Sequence, residues 1–320
     1  MNQTVQLLKA LAEPTRLRIV ALCRGGGDLA VSEFVRILGQ SQPRVSRHLK
    51  LLTEAGALAR IPEGSWVFYR INTDARTNGI VNALIDNIPD DDITFQRDRE
   101  RLAAVKRERA EAAEAFFSAN AREWRKIRDM HIDQAEVNKT LERLFGDQKD
   151  AAFLDIGTGT GDMLTAFAGR IGRGEGVDLS RDMLSFARAS LEADGLSHCH
   201  VRQGDLYSLP YDSGTFDIVL IHQVLHYVDD VSGALHEAAR MLAPGGRLLI
   251  ADFAPHEVED LRRTYQHRRL GFADFEFDAA FAGAGLVLDS IEHLEGNPLT
   301  VAIWAARKPE QQSQPKVRLV

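Results

Sequence analysis

Apolar positions follow helical spacing through the first fifty residues and then switch to alternation. From Val5 to Arg24 they recur every three or four residues, and Glu13-Pro14-Thr15 puts a proline in the first turn of a second helix. Gly25-Gly26-Gly27 ends that helix. Ser32 to Leu38 reads as a short helix. Ser41 stands as N-cap to a helical run reaching Ala55, with Pro43 just inside and Gly56 just beyond. Residues 57–71 alternate about Glu63-Gly64, from Leu58, Ala59, Arg60 and Ile61 to Trp66 and Ile71, which predicts a β-hairpin. Residues 76–88 return to helical spacing. Three helices, a hairpin and a further helix compose a winged helix-turn-helix.

The pattern breaks at Pro89-Asp90-Asp91-Asp92. Residues 95–128 are dense in Arg, Glu and Ala, with isolated apolar points at Leu102, Val105, Ala112, Phe116 and Phe117. They predict linker helices, either a solvated spacer or a dimer or interdomain contact. Beyond Ala151 strands and helices alternate, with strands near 152–156, 174–178, 199–203, 216–221, 247–252, 286–293 and 299–306. Such alternation predicts a doubly wound, mostly parallel α/β sheet of seven strands that ends in an antiparallel hairpin. The expected organisation is therefore a mixed one. Residues 1–88 form an α+β winged helix, 89–130 a charged helical linker, 131–308 a Rossmann-like α/β domain, and 309–320, polar with two prolines, a disordered tail.

Composition sharpens this division. The chain of 320 residues has a net charge of −7, but residues 1–88 hold 11 Lys/Arg against 7 Asp/Glu and the rest 28 against 39. Phosphate contacts suit the first part; a duplex would repel the second. No apolar run approaches the roughly 20 residues of a membrane helix, and Met1 to Leu11 lacks the apolar core of a signal peptide. Cys23 and Cys199 are too few for a disulfide framework or a thiolate metal site, which suits a reducing cytoplasm.

Residues 11–71 carry Leu11-Ala12-Glu13-Pro14-Thr15-Arg16-Leu17-Arg18-Ile19, then Ser41-Gln42-Pro43-Arg44-Val45-Ser46-Arg47-His48-Leu49-Lys50, then Trp66-Val67-Phe68-Tyr69-Arg70. In these stretches the chain resembles the ArsR/SmtB family of dimeric winged-helix repressors. The resemblance implies a homodimer on a double-stranded operator. Gln42, Arg44, Ser46, Arg47, His48 and Lys50 would face the major groove or phosphates, and Arg60 and Arg70 on the wing the flanking backbone. Val45, Leu49 and Leu52 would pack the recognition helix down. Ala30 and Ser32 stand where many metal-sensing relatives carry a Cys-x-Cys pair, which argues against a soft-metal site.

The second half offers another ligand. Asp155-Ile156-Gly157-Thr158-Gly159-Thr160-Gly161 follows an apolar strand and precedes a helix. Glycine lets such a backbone turn tightly against a ligand. Asp178 and Leu179 end the next strand, Gly204-Asp205-Leu206 follow the third, and Leu242-Ala243-Pro244-Gly245-Gly246 precede the fifth. Residues 151–308 thereby resemble class I S-adenosylmethionine-dependent methyltransferases of the small-molecule type. The resemblance implies a site for S-adenosylmethionine or S-adenosylhomocysteine built from Asp155, Gly157, Thr158, Gly159, Gly161, Asp178, Leu179, Gly204, Asp205, Leu206, His222 and Gln223. A dinucleotide is disfavoured because Asp162 replaces the third glycine and would oppose a pyrophosphate.

Catalysis is harder to read. His222-Gln223-Val224-Leu225-His226-Tyr227 lacks both the Pro-Pro motif of amino-DNA methyltransferases and the nucleophilic cysteine of cytosine enzymes. His222 or His226 could act as a general base toward a small-molecule acceptor, or could line the pocket and pack a helix. His198 and His200 make an incomplete metal site. The run Tyr265-Gln266-His267-Arg268-Arg269 could hold an acidic substrate, close over the ligand, or form a solvated helix face. Two functions stand open: a regulator with the nucleoside as effector, and a methyltransferase carrying its own winged helix.

Overall fold

The computed structural model describes residues 2–26, 29–63, 66–72, 75–120, 134–146, 148–296 and 298–310. The expected tail from 311 onward lies outside them, as do Gly64 of the wing turn and residues 121–130 of the expected linker. The chain divides into two compact units. The first comprises Met1–Ala113 together with Tyr227–Asp230 and Glu257–Leu270; the second comprises the remainder.

In the first unit the described elements are α1 (Asn2–Leu11), α2 (Pro14–Gly26), β1 (Leu29–Ala30), α3 (Val31–Leu38), α4 (Gln42–Glu54), β2 (Leu58–Glu63), β3 (Trp66–Ile71), α5 (Ala75–Asp86) and α6 (Ile93–Asn120). β1, β3 and β2 form an antiparallel sheet in that order. Gly39 at φ 63° ends α3 with its N–H on the Val35 carbonyl, a left-handed cap that glycine adopts without a Cβ clash. Ser41 holds the extended N-cap backbone before α4, but its hydroxyl makes no cap hydrogen bond. The entry is fixed instead by Pro43 in the first turn. Val45, Leu49 and Leu52 are fully buried on one face of α4, against a core that includes Ile19, Phe34 and Ile37. Burial of such a stripe drives helix docking in proportion to the apolar area removed from water.

The charged helix α6 is less of a spacer than its composition suggests. Leu102 and Val105 are buried in the winged-helix core. Asp98, 3% exposed, receives a two-pronged contact from Arg18 at 2.6 and 2.7 Å. Arg101 donates to the Ile37 carbonyl and Lys106 to that of Gly25. Two apolar residues one turn apart, together with these polar contacts, thus dock a charged helix. The run 265–269 differs likewise from a solvated face. His267 and Arg269 are 5% and 3% exposed and belong to the same unit.

The second unit contains α7 (Gln134–Phe145), β4 (Gln148–Ile156), α8 (Asp162–Phe167), β5 (Ile171–Asp178), α9 (Arg181–Ala193), β6 (Cys199–Gln203), β7 (Phe216–His222), α10 (Val231–Met241), β8 (Leu242–Phe253), α12 (Asp274–Gly283), β9 (Val287–Leu294) and β10 (Val301–Arg307). The short α11 (Glu259–Thr264) falls in the first unit. The seven strands run β6-β5-β4-β7-β8-β10-β9. β10 alone is antiparallel, to both β8 and β9, so the terminal hairpin expected from sequence inserts its second strand beside β8. Phe145, Phe153 and Phe167 pack as an aromatic cluster with centroids 4.5–5.7 Å apart. The strand order reverses between β4 and β7, and ligands of open α/β sheets bind at the carboxyl ends beside such a reversal. Among the described residues no helix is long and apolar enough to cross a membrane.

Leu49→Ala is expected to destabilise the chain by about 2–5 kcal/mol, as cavity-forming core truncations do. Leu51→Ala, at a site 39% exposed, should stay within about 0.5 kcal/mol. Urea unfolding followed by circular dichroism checks the pair, and equal effects would contradict the assigned helix face.

Candidate nucleic-acid face and ligand loop

With its apolar stripe buried, α4 presents its other faces to solvent. Gln42, Arg44, Ser46, Arg47 and Lys50 are all exposed. They include two guanidiniums near the helix start, where a helix entering the major groove meets base edges. Arg60 on β2 is exposed and Arg70 on β3 half-buried. His48 departs from this set. It is half-buried, with Nδ1 3.5 Å from Glu13 Oε2. Burial pulls its imidazole pKa below the usual value, and Arg16, Arg44 and Arg47 add to that while Glu13 opposes it. His48 thus packs toward Glu13 where the other five residues stand exposed.

In the second unit the residues singled out from sequence converge on one edge of the sheet. β4 delivers Asp155, 1% exposed, and then turns at Gly157, Gly159 and Gly161, whose φ angles are 74°, 53° and 82°. The first turn is closed by Gly157 and Thr158 N–H groups on the Val177 carbonyl, at 2.7 and 3.0 Å. A Cβ on Gly157 would fall 2.3 Å from Val224 Cγ2. Both the backbone angle and the space therefore require glycine there.

Asp178 at the end of β5 faces this loop. Its Oδ2 accepts the Gly159 N–H and its Oδ1 the Ser180 N–H, each at 2.8 Å. Burial nevertheless raises its carboxyl pKa, against the opposing pull of the Ser180, Gly159 and Leu179 N–H groups. Perturbed acids of this kind concentrate at functional sites. The Asp178 carbonyl accepts the Gly204 N–H at 3.1 Å, which brings the β6 loop alongside. There Asp205 is exposed and Leu206 half-buried. Leu179 and Tyr207 keep 48% and 39% exposure beside this loop.

β7 contributes His222 and Gln223, each 7% exposed. Gln223 takes the left-handed conformation at φ 56°, with its N–H on the Ala251 carbonyl. A non-glycine residue held there marks local strain of the sort found at ligand sites. Among the described residues, Gln223 Nε2 and Thr158 Oγ1 are buried without a hydrogen-bond partner. A buried polar atom lacking a partner is destabilising, and a polar ligand at this edge would relieve it. An adenosyl-amino-acid ligand fits the residues present: carboxylates for hydroxyls and an ammonium, small glycines beneath it, and two free side-chain polar atoms.

Two partners escaped the sequence. Gln134 at the start of α7 places Nε2 3.2 Å from His222 Nε2. Asp252, fully buried at the end of β8, holds His226 Nδ1 at 2.6 Å. An acid closing an otherwise apolar strand is the one signal that could have marked Asp252. His226 itself, 2% exposed, is turned to this carboxylate. His198 contacts the Ala168 carbonyl at 3.0 Å.

Comparison with known proteins agrees with each half separately. Residues 11–61 match a helix-turn-helix domain family and residues 154–250 a methyltransferase domain family. The arsenical resistance operon repressor of Escherichia coli is 48% identical over 68 residues, 21% of this chain and 58% of that protein. The demethylmenaquinone methyltransferase of Lactococcus lactis is 36% identical over 114 residues, 35% of this chain and 45% of its own length. The uncharacterized methyltransferase YcgJ of Bacillus subtilis is 32% identical over 147 residues, 45% and 56% respectively. The chain thus spans about half the length of these curated methyltransferases. Among solved structures, the geranyl diphosphate C-methyltransferase of Streptomyces coelicolor, in complex with Mg2+, geranyl diphosphate and S-adenosyl-L-homocysteine, superposes with a TM-score of 0.50. Its identity is 20%, covering 55% of this chain and 79% of that one, which shows the shared fold. The chain joins an ArsR-type helix-turn-helix domain to a class I methyltransferase domain.

Proposed function

We propose that the chain is a DNA-binding transcriptional regulator, acting as a homodimer, whose methyltransferase domain takes S-adenosylmethionine or S-adenosylhomocysteine as effector. The observation that carries this reading is the presence of two built sites in one chain: an exposed polar face on α4 and a glycine loop with buried polar atoms left to a ligand. Asp155 would meet the methionyl ammonium, Asp178 the ribose hydroxyls, and Asp205 with Leu179 and Leu206 the adenine. A ligand alters DNA affinity only through a difference in its own affinity for the two DNA-binding states. Two copies would read half-sites about one helical turn apart.

A second reading, methyl transfer to a small acceptor, is favoured by one observation. His226 and Asp252 form a buried acid–imidazole pair, an arrangement that orients a ring to accept a proton from a hydroxyl or amine. The bound donor would supply the methyl group. The residues of this chain would orient the acceptor and take its proton. The two readings are separable, because the first requires a DNA response to one of the two nucleosides and the second requires a methylated product.

On a duplex from the protein's own upstream region, either ligand is expected to change DNA affinity by about tenfold or more at fixed salt, within the usual range of allosteric coupling. Fluorescence anisotropy reads this, and the response should vanish in Asp178→Ala and Gly157→Ala while unliganded DNA binding persists. Identical curves with bound ligand would sink the regulator reading and leave the enzyme.

Arg47→Ala should weaken specific DNA binding by about 1–3 kcal/mol, the span of a good base contact. Its affinity for S-adenosylhomocysteine, followed by calorimetry, should stay unchanged.

A further inference from the structure

The helix before β4 brings one more polar group to the ligand edge. Val137, Leu141 and Phe145 of α7 recur at helical spacing and are fully buried. That face is turned onto the second unit's own core, where Phe145 stacks on Phe167 with centroids 4.5 Å apart. Gln134 and Asn138, both half-buried, continue the same side toward the start of the helix. There Gln134 meets His222, the last residue of β7, at the carboxyl edge of the sheet.

Both amide protons of Gln134 are committed. Its Nε2 lies 3.0 Å from Asn138 Oδ1 and 3.2 Å from His222 Nε2. Asn138 Oδ1 can only accept, so the amide nitrogen must face it; turned over, the amide would set two carbonyl oxygens against each other. His222 Nε2 takes the second proton, which requires an unprotonated nitrogen there and places the ring proton on Nδ1. Gln134 Oε1 is thereby aimed by its own nitrogen. Among the described residues it is buried without a hydrogen-bond partner, as is the donor Gln223 Nε2 one residue beyond His222. A buried acceptor left without a donor is destabilising, and a donor on the ligand would relieve it.

The strand order selects that donor. The strands run β6, β5, β4, β7 along this edge. With Asp205 after β6 at the adenine and Asp178 of β5 at the ribose, a ligand laid across the edge brings its amino-acid end to β4 and β7. The donor of an adenosyl amino acid at that end is the α-ammonium, whose three protons are not exhausted by the Asp155 carboxylate. We propose that Gln134 is a ligand-binding residue, accepting a hydrogen bond from the α-ammonium through Oε1, and that it sets the preference of the site for an adenosyl amino acid over a truncated thionucleoside. The proposal rests on the reading that this domain takes S-adenosylmethionine or S-adenosylhomocysteine, and it holds for regulator and enzyme alike.

The test uses the full chain and calorimetry with three probes. They are S-adenosylhomocysteine, its deamino analogue with hydrogen in place of the α-amino group, and 5′-methylthioadenosine, which ends at the thioether. Gln134→Ala is expected to weaken S-adenosylhomocysteine about tenfold or more, as loss of a hydrogen bond to a charged group does. Affinity for the other two should stay within about twofold. Equal losses for all three would make Gln134 a packing residue, and an unchanged affinity for S-adenosylhomocysteine would leave it no ligand role; either result overturns the proposal. Two measurements on the wild type guard against a variant that fails to fold. The deamino analogue should bind more weakly than S-adenosylhomocysteine, and equal affinity overturns the ammonium contact. Nitrogen NMR of the His222 ring, assigned by its loss in His222→Gln, should show a neutral imidazole protonated on Nδ1. A proton on Nε2 would reverse the amide and overturn the assigned acceptor. Failure of the wild type to bind S-adenosylhomocysteine at all would instead overturn the cofactor reading, and the role of Gln134 with it.

Discussion

The carboxyl end of β4 is the point on which the C-terminal domain depends. β4 lies between β5 and β7, where the direction of sheet growth reverses. Chain leaving it must turn at once, because helices on either side pack against the faces of the sheet. Three glycines at positive φ make that turn, and N–H groups at its base are taken up by the neighbouring strand. With the backbone so committed, the polar atoms of Thr158, Asp178 and Gln223 are brought to one edge. Their satisfaction is left partly to whatever binds there.

The N-terminal domain obeys a different constraint. A three-residue apolar stripe fixes the rotation of α4, and Gln42, Arg44, Ser46, Arg47 and Lys50, off the stripe, are turned outward. The exposed polar face of α4 is here a by-product of core packing. The neighbouring α6 shows the same economy, since Leu102 and Val105 dock it while Asp98 and Arg18 set its register. The two-pronged geometry of that pair matters more than its charge, for a buried ion pair gains net stability only when well aligned and further hydrogen bonded.

Much of this was legible in the residues. Alternation and helical spacing gave the elements because each has one buried face, and a period follows from that geometry. The strand order at the end of the sheet was legible in part. Two closely spaced strands implied an antiparallel pair, but not that β10 lies beside β8. The partners of His222 and His226 were not legible, since Gln134 is 88 residues from one and Asp252 26 from the other. Distant pairing leaves no local pattern. The solvated-face alternative for the basic run at 265–269 failed for a related reason. Arginine buries readily when a carboxylate and an aromatic face await it, and Glu33 and Phe68 lie far away in sequence.

The placement of β10 also bears on synthesis. It fills the gap between β8 and β9, so an interior position of the sheet is taken by its last strand. A chain emerging from the ribosome cannot complete the sheet until Arg307 is free, whereas the winged-helix core draws mainly on residues already released. Domains generally fold in the order in which they are made. The helix-turn-helix half thus acquires its shape before the sheet closes.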